Sequence, residues 1–364
     1  MQTPTTNGTE EVVKPATRYV ALDAMRGFVM LALVSKGFGL GALKGDSAMD
    51  AITRQFKHLP WEGLVAYELI MPAFMFIVGA ALPFALARRA KLGATFGQNL
   101  GHIAFRVFKL ILLGQILTTL HKGRYAYEPY ETLTQLGISC FFAFLILQLR
   151  SRWQPVAAAG FLLLNWALYQ LFPGSAGPFS PSDNVGVVVD QAVFSLNHAG
   201  SWATINFLGS SITVLFGAWT AMLLLSSRTH VEKARILIAA ILGSFALTGV
   251  LMPFVPLIHK AWTLTFTFCH TGFVLLAVLA FFWLFDWKGY HKLAFPLVVV
   301  GMNSIFIYLL MSTLHGWFDK SLAAFTGRFQ FAVSFGPMFQ VWAVTLAMWY
   351  VCFCLYKRRI FFKV

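Results

Sequence analysis

The sequence predicts an all-α fold: a polytopic membrane bundle of about ten transmembrane helices in a single domain. Three observations predict it. Hydrophobic residues make up 58% of the 364 and charged residues 12%, with a mean hydropathy of +0.69, whereas a soluble domain carries about a quarter charged residues. Apolar runs near the roughly 20 residues that cross a bilayer recur along the chain. Lys and Arg fall between those runs rather than on one stripe, as topology signals do. The net charge of +14 therefore implies no nucleic-acid partner.

The expected spans follow in order. Residues 1–17 are polar, rich in Thr with Pro and Gly, and lack a charged-then-apolar layout with a cleavage site; they read as a disordered cytoplasmic tail before a membrane domain covering 18–364. The first span, 19–40, starts beside Asp23 and Arg26. The second, 64–87, carries Glu68, Pro72 and Pro83 and stops at Arg88, Arg89 and Lys91. The third and fourth, 101–120 and 131–149, flank Lys122 and Arg124, and the fifth, 154–172, follows Arg150 and Arg152. A connection of about 173–202 has no Lys or Arg; it is too long for a mere connector and reads as a lid or rim. The sixth to eighth, 203–226, 235–256 and 262–285, are separated by Arg228 and Lys233, then by His259 and Lys260. The ninth and tenth, 294–314 and 336–356, end at Lys357, Arg358 and Arg359. Cys140, Cys269, Cys352 and Cys354 lie inside apolar segments without metal-ligand spacing, so they read as small buried residues and no metal is expected.

Orientation comes from the basic residues. Seventeen Lys and Arg fall on one set of connections and nine on the other: Lys36, Lys44, Arg54, Lys57, Lys122, Arg124, Lys260, Lys320 and Arg328. Arg106 and Lys109 lie within or at the edge of a span and are not counted. Both termini are thus expected in the cytoplasm and residue 58 outside.

Four groups could carry chemistry. Asp23 and Arg26 stand three apart and share a helix face; they either anchor the first span or, with Arg18, present a guanidinium to a phosphate from the cytoplasm. The stretch His58-Leu-Pro-Trp61-Glu62-Gly63 places an imidazole, an indole and a carboxylate before the span that holds Glu68. An interfacial aromatic belt would explain Trp61, but Glu62 and Glu68 offer the ring partners for orientation or proton exchange. Pro256-Leu-Ile-His259-Lys260-Ala-Trp262 is followed by His270 within a span. Asn303 and Ser304 are polar groups inside a span and need partners there. Neither a Gly-x-Ser-x-Gly elbow, a His-Glu-x-x-His pair nor a phosphate-binding loop is found.

Taken together, and in this order, several short motifs resemble those of the heparan-α-glucosaminide N-acetyltransferase family of transmembrane acetyltransferases, and in particular its short bacterial members. They are Leu22-Asp23 through Arg26-Gly27, His58-x-x-Trp61-x-Gly63-Leu64, Pro72-x-Phe74-x-Phe76-Ile77-x-Gly79, Leu136-Gly137-Ile138, Ala203-Thr204-Ile205-Asn206, Lys260-x-Trp262-Thr-Leu and Gly301-Met-Asn-Ser304. The resemblance runs from Arg18 to about Phe318, without the large amino-terminal luminal region of the animal enzymes. It implies a bacterial inner membrane as the location, acetyl-CoA as donor from the cytoplasmic side and a sugar acceptor on the other. The family's catalytic histidine falls on His58, with Glu62 and Glu68 beside it. The donor-side residues would be Asp23, Arg26, Gln135, Asn303 and Ser304, and the acceptor-side residues Trp61, Asn206, Lys260, Trp262 and His270. Ser35, Glu62 and Glu68 stand where the family commonly has Asn, Asn and Asp, and Gln135 where Arg is common. The first three bear on acceptor identity, and the last removes a cation that Arg26, Arg106 or Lys109 would have to supply.

The expected reaction is acetyl transfer to an amino or hydroxyl group of glucosamine, N-acetylglucosamine or an oligosaccharide end. His58 serves as general base or as acetyl carrier. Membrane lipid is the expected surrounding, and a homodimer is compatible. The competing expectation is a proton-coupled amino-sugar transporter with His58, Glu68 and His270 as a relay, although the chain shows no internal repeat of the kind such carriers are built from.

Overall fold

The structure, a computed structural model, describes residues 19–43, 47–198, 200–327 and 335–362. The tail at 1–17, together with Arg18, Lys44 and Arg328, lies outside the described residues. Within them the chain is helical without a strand, apart from one isolated bridge between Gly174 and Gly177. The helices are α1 Val20–Val34, α2 Ser47–Arg54, α3 Ile70–Lys91, α4 Phe96–Lys122, α5 Thr132–Leu147, α6 Gln154–Leu171, α7 Val185–Phe194, α8 Phe207–Leu225, α9 His230–Leu251, α10 Leu264–Phe281, α11 His291–Gly301, α12 Ser304–Thr326 and α13 Gly336–Lys357.

Each of the ten expected spans contains a helix. Among the described residues, six stretches are long and apolar enough to cross a membrane, or seven if α11 and α12, bent by 57° at their junction, form one broken span. The expectation of about ten is looser than this because α1 has 15 residues and α5 has 16, short of the usual bilayer length. This is a multipass membrane architecture. Two helices were not foreseen: α2, between the first two spans, and α7, inside the long connection.

Two close helix contacts fix the frame, and each is made by a pair of glycines. A Cβ at Gly79 of α3 would lie 1.9 Å from the Val214 carbonyl oxygen, and one at Gly217 of α8 would lie 1.8 Å from that of Phe76. The α3 and α8 backbones therefore touch. Gly27 of α1 and Gly301 of α11 do the same, facing the carbonyls of Leu297 and Asp23. Small residues let helices approach where the bilayer supplies no hydrophobic drive.

Helix ends are closed by side chains. Asp286, in the π-helical turn Phe282–Trp287 that follows α10, accepts the Val20 and Ala21 amides at 3.0 Å each, so it caps α1 from a distant part of the chain. Thr95–Gln98 and Thr229–Glu232 form capping boxes on α4 and α9. Glu131 caps α5 by accepting from Leu133 and Thr134.

Candidate active site

The site is built from three connections that meet at one end of the bundle. The first, residues 55–65, is tied down at both ends. Tyr67 donates its amide to the Gln55 carbonyl at 2.9 Å, and Gly63, at φ +116°, donates to the Leu257 carbonyl at 2.8 Å. The Leu59 amide donates to Glu68 Oε1 at 3.1 Å. The segment thus folds back over the start of α3 and sets His58 above Glu68.

The second connection, 252–263, is locked by Thr263. Its hydroxyl donates to the Pro256 carbonyl at 2.8 Å and accepts the Ile258 amide at 3.2 Å. Trp262 adopts φ +47°, an uncommon conformation for a bulky residue, and its carbonyl accepts from Asn165 at 3.0 Å. This turn points His259 at Glu68: His259 Nδ1 lies 3.1 Å from Glu68 Oε1, and both side chains are buried. The distance is that of an ion pair without hydrogen-bond alignment, since His259 Nδ1, His259 Nε2 and Glu68 Oε2 make no hydrogen bond among the described residues. Unpaired buried polar atoms are costly and are explained here if a ligand meets them.

The third connection brings Trp202. Its ring meets His58 edge-on at 5.5 Å and His259 at 5.1 Å, and the two imidazoles stack in parallel at 5.5 Å. Tyr67 closes the other side of His58 at 4.9 Å. Lys260 joins all three connections: its ammonium donates to the carbonyls of Pro60 at 2.8 Å and Gly200 at 2.7 Å, and Asn206 donates to the Lys260 carbonyl at 2.7 Å.

These groups line a cavity of about 280 Å³ that reaches Met30 and Phe74, about one turn into α1 and α3. Thr132, Tyr308, Ser312 and His121 form its opposite wall, with Glu131 behind Tyr308 at 3.3 Å from the phenol oxygen. A larger cavity of about 400 Å³ lies between α8, α9 and α10, but its lining has no titratable side chain.

His58 is exposed at the cavity mouth, yet the rings around it remove solvent from part of its surface. Burial first, and then His259, hold its pKa below the usual imidazole range, while Glu68 pulls in the opposite sense. Neutral imidazole is therefore the resting form near pH 7. Burial likewise lowers the Lys260 pKa, opposed by Glu68. His58, Glu68 and His259 each offer one ligand atom, all within 4.8 Å of one another. An ion held at about 2.0–2.1 Å would draw such atoms to about 3.4 Å apart, so the triad could take a metal only by closing.

The other expected site residues fall in several places. Glu62 is exposed and outside this lining. Trp61 donates its indole N–H to the Phe179 carbonyl at 2.9 Å and braces the long connection. Trp262 and His270 lie below the site, both bonded to the Thr213 hydroxyl, at 3.2 and 2.9 Å. Phe266 stands between His270 and His259, at ring distances of 4.7 and 5.9 Å. Gln135 donates to the carbonyls of Ala203 and Thr204 at 3.0 and 3.1 Å. Asn303, at the bend between α11 and α12, holds Ile360 and Phe362; Ser304 begins α12 beside it. Arg26 Nη1 lies 3.3 Å from Asp23 Oδ1 on α1. His259, Tyr67 and Trp202 were not singled out as site residues, although His259 lies beside Lys260 in a stretch marked for its imidazole.

Comparison with known proteins adds the decisive observation. Human heparan-alpha-glucosaminide N-acetyltransferase is 22% identical to this chain over 97% of its length. The mouse protein of the same name is 22% identical over 96%. The chain is thus distantly similar to two acetyltransferases. It spans 62% of the human protein and 61% of the mouse protein, about three-fifths of the curated relatives it matches. No family model matches. The similarity thus covers nearly all of this chain.

Proposed function

We propose that this protein is a membrane acetyltransferase that moves an acetyl group from cytoplasmic acetyl-CoA to an amino or hydroxyl group of a sugar on the opposite, periplasmic side. One observation carries the reading: an exposed, neutral-leaning imidazole sits over a buried carboxylate and a second imidazole at a cavity mouth, in a chain similar almost end to end to N-acetyltransferases. The acceptor nitrogen or oxygen attacks the thioester carbonyl carbon while His58 takes its proton. Collapse of the tetrahedral intermediate breaks the carbon–sulfur bond, and the CoA thiolate leaves and is reprotonated. Glu68 stabilises the imidazolium as it forms, while the stacked His259 ring helps position His58 and keeps its resting form neutral. A route in which His58 first carries the acetyl group uses the same residues.

On the donor side, the Asp23–Arg26 pair and the basic residues Arg106 and Lys109 of α4 are candidates for the CoA phosphates, since guanidinium groups suit that geometry. The acceptor cavity, at about 280 Å³, lies at the small end of the range for ligand pockets and suits a single sugar ring. The transporter alternative requires a proton path from His58 and Glu68 to His270; among the described residues no hydrogen bond joins His259 to His270, and the apolar Phe266 ring contacts both.

Thermal unfolding of the purified protein separates the two. The acetyltransferase reading expects acetyl-CoA to raise the melting temperature and labelled acetyl to appear on a hexosamine. Stabilisation by free sugar alone, without transfer, would establish the carrier instead.

A further inference from the structure

A second cavity adjoins the candidate active site and has the opposite chemistry. It measures about 290 Å³ and lies between α1, α3 and α10, walled by apolar side chains including Phe28, Phe38, Phe56, Ala73, Phe273 and Ala277. The two cavities share a partition. Ile70 lines both, and along α1 Met30 and Leu33 face the polar cavity while Phe28, Val29 and Ala32 face the apolar one. Phe56 is two residues before His58; Ala66 and Leu69 flank Tyr67 and Glu68. The same backbone that presents the catalytic groups therefore presents the groove.

The rim of this groove is built at a conformational cost. Lys36, Gly37, Phe38 and Gly39 run consecutively at positive φ, from +48° to +86°, which is uncommon outside glycine. A Cβ at Gly37 would lie 2.0 Å from the Phe56 ring, and Trp342 fixes the turn by donating to the Phe38 carbonyl at 2.7 Å. The strained turn brings Phe38 against Phe28, at 5.1 Å, over the groove.

Charge marks the same rim. Of the nine Lys and Arg on the basic-poor connections, four lie between residues 36 and 57, against the trend that otherwise strips cations from that end. Among the described residues, the exposed side chains of Lys36, Arg54 and Lys57 form no ion pair, although Asp50 lies in the same stretch. The apolar groove and the polar cavity adjoin at Ile70, and unpaired cations neighbour the groove-lining residues along the chain, Lys36 beside Gly37 and Lys57 beside Phe56.

We propose that the acceptor is a membrane-anchored amphiphile: a sugar joined through phosphate to an apolar chain. The chain lies in the Phe28–Phe56–Phe273 groove, the phosphate meets Lys36, Arg54 and Lys57, and the sugar enters the His58 cavity. The inference rests on the acetyltransferase reading and names its acceptor class. Charge-assisted contacts to phosphate are strong, and a chain held in the bilayer raises the local concentration of its head group.

The test uses the full-length protein in phospholipid vesicles with labelled acetyl-CoA. Three acceptors are compared: glucosamine 1-phosphate, glucosamine joined through phosphate to a hexadecyl chain, and the uncharged hexadecyl glucosaminide. The expected kcat/KM for the anchored phosphosugar exceeds that for glucosamine 1-phosphate by about 100-fold or more. Ala277→Trp, or Ala32→Met should the first variant not fold, fills the groove without altering partition into the bilayer. Either should cut that ratio by at least about tenfold. Replacing Lys36, Arg54 and Lys57 by Gln should erase the preference for the phosphate-bearing amphiphile over the uncharged one. A wild-type ratio near one overturns the proposal. So does a ratio that the groove-filling variants leave intact, which would mean that ordinary phospholipid tails occupy the groove and only partition favours the anchored sugar. Failure to acetylate any of the three acceptors would instead count against the acetyltransferase reading.

Discussion

Replacing Glu68 by Gln isolates the electrostatic part of the site. The carboxylate is 2% exposed, holds the Leu59 amide through Oε1 and lies within 4.8 Å of the His58 and His259 nitrogens. As His58 takes a proton it becomes a cation facing that carboxylate. At an effective dielectric constant of about 20, a charge pair at that distance interacts by about 3.5 kcal/mol. Solvent at the exposed face of His58 screens part of this, leaving about 2 kcal/mol, or about 30-fold in rate. Glu68→Gln should therefore lower kcat for acetyl transfer in vesicles about 30-fold with little change in melting temperature, because the amide oxygen still accepts from Leu59. Glu68 raises the His58 pKa, so the acid limb of the rate profile should also move to lower pH in this variant. Glu68→Ala should lose comparable rate and also stability, since an unpaired Leu59 amide costs about 1–3 kcal/mol. A Glu68→Gln protein within twofold of wild type across the pH range would refute this role.

Four further outcomes follow from the same structure. The wild-type rate should rise with pH through a His58 limb placed below the usual imidazole value near 6.5, and His259→Ala should move that limb upward by removing a lowering influence. Because the folded pKa is depressed, the folded state binds fewer protons there than the unfolded chain, so stability should fall as pH drops below about 6.5. Gly217→Ala places a methyl group 1.8 Å from the Phe76 carbonyl oxygen and should destabilise the α3–α8 contact by about 1–3 kcal/mol or more, read as a lower melting temperature. If Arg26 meets the donor phosphates, Arg26→Ala should weaken acetyl-CoA binding by about 1.5–3 kcal/mol in calorimetry; if its pair with Asp23 only anchors α1, Arg26→Ala and Asp23→Ala should lower stability alike with donor affinity unchanged.

The bundle was legible in the sequence because apolar length and basic punctuation act locally, and each expected span contains a helix. The number of complete crossings was legible only loosely, since α1 ends at Val34, before the run Lys36–Gly39, and the chain bends at Asn303 between α11 and α12, and both events depend on neighbours. At the site, His58 and Glu68 were legible as groups near one membrane face. His259 was not, because its approach to Glu68 depends on the Thr263-locked turn and the positive φ of Trp262, features that residue spacing does not reveal. Trp202 comes from a connection without basic punctuation, and it reaches the histidines through Lys260 bridging Pro60 and Gly200. Gln135, Asn206 and Asn303 read as polar groups in search of partners; in the structure each binds a backbone carbonyl.

In the proposed reaction His58 is the group on which acetyl transfer depends. The measurement is the rate of labelled acetyl transfer from acetyl-CoA to a hexosamine acceptor by vesicles holding wild-type or His58→Ala protein, with acetyl-CoA binding measured on the same preparations. Equal donor binding and a loss of transfer of about 100-fold or more are expected in the variant. A folded His58→Ala protein that binds acetyl-CoA and transfers acetyl at near the wild-type rate would contradict that dependence.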